Sequence, residues 1–171
     1  SIGISLFPED GATCEELLKH ADLALYQSKG AGRNGLHFFN SNLKNRATME
    51  LQLEEELRHA LREENGLMLY YQPIFELKTG KVTKLEALIR WQHPVNGLLT
   101  PDRFISIAEN NGLIAELDNW VLRKACEDLG ELSRQGCEEL HIAVNCSPLN
   151  LAREELADEI ESALRTAGVA P

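Results

Sequence analysis

From Leu67 onward, segments whose apolar residues are spaced as in a β-strand alternate with segments whose apolar residues are spaced as in a helix. Two strand-like runs, 67–77 and 82–91, are separated by a short turn at 78–81, which predicts a β-hairpin. Helical patterns follow, then another strand-like run at 140–147 and a last helical pattern. Strands that alternate with helices are typical of a parallel α/β sheet or barrel. This order therefore restricts the second part of the chain to the α/β class.

The first 65 residues predict shorter elements and one long helix. Alternating apolar residues at 2–6 indicate a strand, and 36–39 indicate another. Between them, Thr13 and Glu16 have the spacing of a capping box at the start of a helix. A charged helix is predicted over 41–65, with an apolar stripe that includes Ala47 and Leu51, and it would connect two domains. Because the chain opens within a strand, we expect further chain upstream.

Composition limits the classes of partner and of site. The formal net charge is −10, which argues against binding to DNA or RNA polymers, since such binding needs an excess of Lys and Arg. No apolar run approaches the roughly 20 residues of a membrane-spanning helix, so we expect a cytoplasmic segment whose parent protein could be anchored elsewhere. No closely spaced Cys and His residues resemble a zinc site, and free thiols are expected at Cys14, Cys126, Cys137 and Cys146.

The run at 82–91 places two charges on one face of a predicted strand. Successive side chains alternate between faces, so Glu86, Leu88 and Arg90 share a face and the odd-numbered apolar residues share the other. Both faces of strands in parallel α/β sheets are buried. An unpaired buried charge is costly, so it is normally paired, bound to metal or neutralised. The face that carries Glu86 is therefore a candidate functional surface.

The run at 140–147 adds polar residues at the end of a second strand. His141, Asn145 and Ser147 share one face, and the latter two lie near the carboxyl end, where α/β barrels keep their active sites. Glu86 and Asn145 offer the hard oxygen ligands that suit Mg²⁺ or Mn²⁺. A purely structural alternative is a Glu86–Arg90 ion pair with Asn145 bonded to backbone. The residue pattern alone leaves both interpretations open.

Four sequence strings after residue 65 resemble the opening half of an EAL domain. They are YQPI at 71–74, EALIRW at 86–91, AENNGLI at 108–114 and VNCS at 144–147. The resemblance implies a (β/α)8 barrel of the TIM type that hydrolyses cyclic-di-GMP to linear pGpG with two divalent cations, Mg²⁺ or Mn²⁺. It also implies that the remaining metal ligands and the catalytic lysine lie beyond residue 171.

The same resemblance implies roles for five residues. Glu86 and Asn145 would be metal ligands, and Gln72, Leu88 and Arg90 would contact the dinucleotide. The planar fork of an arginine suits a phosphate oxygen. VNCS differs from the commoner VNLS at a position on the apolar face of the strand, where we expect no effect on ligation.

The first 40 residues resemble the end of a GGDEF domain, the cyclase domain that joins two GTP molecules. The strings are SIGIS at 1–5, FPEDG at 7–11 and ADLALYQSKGAGRN at 21–34. The resemblance implies that Lys29 and Arg33 meet GTP phosphates in an intact domain. The alternative is that these basic side chains complement the dipole at the end of a helix. The cyclase metal ligands would lie upstream.

These observations predict an α/β chain in three parts: the end of a GGDEF domain (1–40), a connecting helix (41–65) and the first half of an EAL barrel (66–171). A half barrel exposes apolar faces and strand edges, so we expect pairing with another copy, as in a homodimer. We expect the 171 residues alone to be inactive. For the parent protein, a phosphodiesterase is favoured over a non-catalytic cyclic-di-GMP receptor and over a dimerisation scaffold.

Overall fold

The computed structural model describes residues 1–30 and 32–169, with side chains described for all of these except residues 44–47. Contacts within the chain divide it into two compact units, residues 1–53 and residues 54–171. The predicted boundaries at residues 40 and 65 stay a prediction.

The first unit contains two short parallel strands and a helix. Strand β1 (Ile2–Ile4) pairs with β2 (Leu36–Phe38), and helix α1 spans Cys14–Gly30. A Cβ atom at Gly3 would lie 2.0 Å from the carbonyl oxygen of Ala21, so only glycine lets β1 approach the backbone of α1 so closely. Both predicted strands and the predicted helix are confirmed.

The capping box at the start of α1 is also confirmed. The Thr13 hydroxyl accepts a hydrogen bond from the Glu16 peptide N–H at 3.2 Å. The Glu16 carboxylate in turn accepts from the N–H groups of Ala12 at 2.9 Å and Thr13 at 3.1 Å. These contacts satisfy N–H groups that have no partner within the helix.

Helix α2 spans Ser41–Arg62 and crosses the boundary between the two units, three residues shorter than the predicted 41–65. In the second unit its apolar residues Leu57, Ala60 and Leu61 are buried. In the first unit the predicted stripe is only partly packed, because Leu51 is 67% exposed. Ala47, also in the predicted stripe, lies outside the described side chains.

The second unit is built on a four-stranded mixed sheet. The predicted hairpin is formed by β3 (Leu67–Phe75) and β4 (Val82–His93). The other edge of β4 pairs in parallel with β6 (His141–Val144) and antiparallel with β5 (Gly97–Leu99). On this edge, β6 pairs with residues 84–87 of β4 and β5 pairs with residues 91–93. A short stretch of β4 separates these two paired segments.

Helices cover one face of this sheet. A 3₁₀ turn (Pro101–Arg103) leads into α3 (Ile105–Asn110), and α4 (Ile114–Arg134) follows. After β6 come the short α5 (Pro148–Leu151) and α6 (Leu156–Ala167), with Gly168 in the left-handed conformation at its end. Pro101 begins the 3₁₀ turn, and Thr100 before it makes no side-chain cap bond.

The core lies between the odd-numbered face of β4 and these helices. Ala87, Ile89 and Trp91 are buried, and the Trp91 ring meets Phe104 edge-on with centroids 5.7 Å apart. Leu117 on α4 is 1% exposed. The predicted division of β4 into an apolar face and a polar face is confirmed.

Candidate functional site

The carboxylate of Glu86 and the amide of Asn145 lie side by side on the polar face of the sheet. The register pairs Glu86 with Ala143 of β6, so Asn145, two residues further along, reaches the same face. The Asn145 Nδ2 donates to Glu86 Oε1 at 2.8 Å. Residues that are 59 positions apart in the chain are thereby joined at one point.

The three residues that are predicted to contact the substrate lie on this same face. Gln72 of β3 is directly opposite Glu86, and Leu88 and Arg90 follow Glu86 at two-residue intervals on β4. Gln72 is exposed, whereas Leu88 and Arg90 are partly buried. The structure therefore brings all five predicted residues of the second unit to one surface, while their roles stay a prediction.

The described side chains of Glu86 and Arg90 do not form the ion pair that the structural alternative requires. Glu86 meets Asn145, whereas the Arg90 guanidinium lies over the ring of Tyr70, 5.5 Å from its centroid. Arg90 Nη1 also donates to the Ile89 carbonyl oxygen at 2.8 Å. Tyr70 was not singled out from the sequence, although it has the same strand parity as Gln72.

A second residue that the sequence did not reveal is Asp118 on α4. Its Oδ2 accepts a hydrogen bond from the Ser147 peptide N–H at 2.9 Å and lies 3.8 Å from Cys146 Sγ. Burial raises the pKa of the Cys146 thiol, and the Asp118 charge raises it further. The only sequence signal was an acidic residue between the apolar residues Leu117 and Val121.

A cleft of about 240 Å³ lies beside this site. It is mostly apolar, and its polar lining includes Glu109, Asp118 and Asn145. Glu109 belongs to the AENNGLI string, so that string contributes to the lining of this cleft. The cleft therefore lies between β4 and the helices that pack on it, and Asn145 belongs to its lining.

The chemistry of the donor set fits a hard divalent cation. A carboxylate and an amide oxygen are ligands that Mg²⁺ and Mn²⁺ accept, and rotating the Asn145 amide would present Oδ1 next to the Glu86 carboxylate. Within residues 1–30 and 32–169, no group of three or more His, Cys, Asp and Glu side chains is arranged to hold a metal ion. This part of the chain thus supplies two candidate ligands.

The two residues that are predicted to contact GTP, Lys29 and Arg33, lie in the first unit, at the end of α1. Lys29 is exposed in the last turn, where a positive charge complements the helix dipole. Arg33 is exposed, has a positive φ of 61°, and its N–H donates to the Ser28 carbonyl oxygen at 3.1 Å. This placement is compatible with the dipole interpretation, and contact with GTP stays a prediction.

Residues 54–171 match the EAL domain, so the chain belongs to the EAL domain family. Residues 1–35 match the family described as diguanylate cyclase, GGDEF domain. Both predicted resemblances are confirmed, and so is the α/β class, because the similar solved structures are EAL domains with a fold of the TIM-barrel kind. EAL phosphodiesterases depend on divalent cations.

Two similar proteins are named for cyclic-di-GMP turnover. The cyclic di-GMP phosphodiesterase NbdA of Pseudomonas aeruginosa is 58% identical over 170 residues, which cover 99% of this chain and 22% of NbdA. The bifunctional diguanylate cyclase/cyclic di-GMP phosphodiesterase MucR of the same species is 44% identical over 164 residues, 96% of this chain and 24% of MucR. The chain therefore spans less than a quarter of the length of these relatives.

A solved structure of the MucR phosphodiesterase in complex with c-di-GMP is also similar. It superimposes with a TM-score of 0.67 at 40% identity, covering 70% of this chain and 48% of that one. None of the helices in residues 1–30 and 32–169 combines the length and apolarity that a membrane span requires.

Proposed function

We propose that the natural polypeptide carrying this chain hydrolyses cyclic-di-GMP to linear pGpG with Mg²⁺ or Mn²⁺. The observation that carries the proposal is the contact between Glu86 and Asn145 on the face that also bears Gln72 and Arg90. Similarity to the phosphodiesterases NbdA and MucR supports the same reaction and substrate.

Glu86 and Asn145 would hold a divalent cation through a carboxylate oxygen and an amide oxygen. When bound, such a cation supplies Lewis acidity toward a phosphodiester and lowers the pKa of coordinated water. Their present hydrogen bond keeps both side chains aimed at one point, so little rearrangement is needed to ligate. Further ligands would come from residues outside this pair.

Arg90 would orient the dinucleotide through one of its phosphates. A guanidinium presents parallel N–H donors that match phosphate oxygens, and Tyr70 already holds it in one orientation. Gln72 would offer an amide to polar substrate atoms, and Leu88 would offer an apolar contact. In a chain with a net charge of −10, a local positive charge favours an anionic substrate at this face.

A non-catalytic cyclic-di-GMP receptor is the second candidate. The observation in its favour is helix α2, which is continuous across the boundary between the two units and could relay occupancy. Retention of Glu86 and Asn145 favours the enzyme, because a receptor does not need metal ligands. GTP binding at Lys29 and Arg33, a homodimer, and a cytoplasmic location with an anchor elsewhere remain further proposals.

The test is turnover of cyclic-di-GMP by the natural polypeptide with Mg²⁺ or Mn²⁺, comparing wild type with Glu86→Ala. We expect wild type to release pGpG and Glu86→Ala to lose nearly all of this activity. Glu138→Ala, which removes an exposed glutamate from the loop before β6, should retain it. Tight binding of cyclic-di-GMP by wild type without turnover would instead identify a receptor.

A further inference from the structure

We infer that Asp118 is a positioning residue for Asn145, because its carboxylate fixes the loop that presents the Asn145 amide to Glu86. The inference rests on the proposed function, since it gives Asp118 a part in the proposed metal site. Asp118 lies on α4, on the helix-covered side of the sheet, and acts through the peptide of Ser147.

The contact joins α4 to the three residues that follow β6. Asp118 Oδ2 accepts the Ser147 N–H at 2.9 Å. Asn145 lies two residues earlier, where the chain leaves β6 and its side chain meets Glu86 at 2.8 Å. Two contacts therefore hold this loop. Glu86 binds the side chain of Asn145, and Asp118 binds the backbone of Ser147.

Asp118 is itself held firmly in place. Its neighbours on α4, Leu117 and Val121, are 1% and 7% exposed, so the core sets the position of this helix. The core therefore fixes the helix from which the Asp118 carboxylate reaches the Ser147 N–H.

The Ser147 N–H needs this acceptor. Ser147 is the N-cap of α5, where its hydroxyl accepts from the Asn150 N–H at 3.2 Å. Its own N–H donates to Asp118, and the residue is partly buried. A peptide donor that is shielded from water and loses its acceptor is unfavourable, so the loop would rearrange to find another.

Rearrangement of this loop would displace Asn145 from Glu86. Residues that orient metal ligands typically contribute about 10- to 100-fold to metal affinity. Asp118→Ala should weaken binding by that factor without removing a ligand. Asp118→Asn retains an oxygen that can accept the same N–H, so it should bind nearly as wild type does.

The experiment measures Mn²⁺ binding to the natural polypeptide by the loss of the free-ion electron paramagnetic resonance signal. We expect Asp118→Ala to raise the Kd for Mn²⁺ about 10- to 100-fold. Asp128→Ala is the matched control on the same helix, because Asp128 accepts from Tyr71 at 2.7 Å and Lys124 at 2.8 Å, away from the loop. It should leave the Kd for Mn²⁺ unchanged.

Hydrogen–deuterium exchange without metal gives an independent readout. The Ser147 amide should exchange faster in Asp118→Ala than in wild type, and Asp118→Asn should restore slow exchange. The inference is overturned if Asp118→Ala binds Mn²⁺ as wild type does, if the Ser147 amide is unaffected, or if wild type binds no Mn²⁺. It is equally overturned if Asp118→Asn is as impaired as Asp118→Ala, since the charge would then be what matters.

These outcomes separate the inference from the proposed function. A wild type that binds Mn²⁺ through this loop but leaves cyclic-di-GMP intact would refute the phosphodiesterase, while the role of Asp118 in positioning Asn145 would stand.

Discussion

At the scale of single residues, Glu86 and Arg90 show how strand geometry separates two charges on one face. Residues four positions apart on a strand have Cα atoms about 13 Å apart, which is too far for a direct ion pair. Each side chain instead finds another partner: Glu86 meets the Asn145 amide just after β6, and Arg90 meets the Tyr70 ring on β3. The two charges are therefore left available for separate ligands.

The contact between Arg90 and Tyr70 predicts an effect on substrate affinity. Tyr70→Leu removes the ring that orients the guanidinium, and an exposed cation–π contact of this kind corresponds to about two- to fivefold in affinity. We expect the Kd of the natural polypeptide for cyclic-di-GMP, measured by calorimetry with EDTA present to prevent turnover, to rise by that factor.

Tyr70→Phe is the control, because it keeps the ring and removes the hydroxyl. It should bind as wild type does. If Tyr70→Phe weakens binding as much as Tyr70→Leu, the hydroxyl is the important group. If neither variant changes the Kd, the ring does not orient Arg90 for the ligand.

Strand parity was enough to predict which side chains share the polar face, because alternation is a property of any extended backbone. It placed Glu86, Leu88 and Arg90 on one face and Asn145 on the polar face of the run at 140–147, and the family resemblance added Gln72. Asp118 could not be predicted in this way. Its role depends on a contact between α4 and a loop 29 residues further along the chain, which no local pattern encodes.

At the scale of elements, the second half of α2 is anchored to β4 within the second unit. His93 is 1% exposed, and its Nε2 lies 2.7 Å from Glu56 Oε2. Its Nδ1 accepts the N–H groups of Val95 and Asn96, each at 3.1 Å, so Nε2 carries the proton and donates to Glu56. A buried ring thus has both of its nitrogens satisfied.

Glu56→Ala should therefore destabilise the chain. It leaves a buried donor on His93 without its partner, which costs about 1–3 kcal/mol. Chemical denaturation of the 171-residue chain should show this decrease in the free energy of unfolding. Glu55→Ala, an adjacent exposed change on the same helix, is the control and should have a much smaller effect. Equal effects of the two substitutions would refute the anchoring role of Glu56.

The start of α1 predicts a dependence of stability on pH. The peptide N–H groups of Ala12 and Thr13 hold the pKa of the Glu16 carboxyl below its ordinary value of 4.5. A lowered pKa in the folded state means that Glu16 stabilises the fold above pH 4.5 and that this contribution is lost as the pH falls through the lowered pKa.

Thermal unfolding of wild type and Glu16→Gln followed by circular dichroism would measure this dependence. The Tm of wild type should exceed that of Glu16→Gln near neutral pH, and the difference should shrink in acid. Glu15→Gln, in the same first turn, is the control. A difference between wild type and Glu16→Gln that does not change with pH would contradict the capping role of the carboxylate.

Local sequence patterns predicted the longer helices and strands but not the shorter ones. The hairpin, α1 and α4 carry turn residues, a capping box and an apolar stripe, which are local signals. Strand β5 and helix α5 were not predicted, because they have three and four residues and depend on their neighbours. β5 is a strand only because it pairs with the end of β4, and α5 is capped by a serine that Asp118 holds.

At the scale of the whole molecule, a short first part of the chain matches the GGDEF domain, and a longer second part matches the EAL domain. Each unit has its own strands, α2 contributes residues to both, and the polar face of the second unit carries the candidate site. Within the described residues, that face brings together one carboxylate and one amide as candidate metal ligands. Mg²⁺ prefers near-octahedral coordination, so two ligands make a weak site.

The 171-residue chain alone should therefore hydrolyse no cyclic-di-GMP. Incubation with cyclic-di-GMP and Mn²⁺, followed by chromatography, should show no pGpG, while the natural polypeptide should produce it under the same conditions. Metal-dependent hydrolysis by the 171 residues would contradict this expectation and would mean that this chain holds a complete site.

The most direct test of the central claim is to locate the metal. Crystals of the natural polypeptide grown with Mn²⁺ and cyclic-di-GMP should show an anomalous scattering peak within about 2.5 Å of a Glu86 carboxylate oxygen and the Asn145 amide oxygen. The peak should be absent from crystals of Glu86→Ala. A bound dinucleotide with Mn²⁺ elsewhere, and Glu86 still hydrogen-bonded to Asn145, would contradict the account.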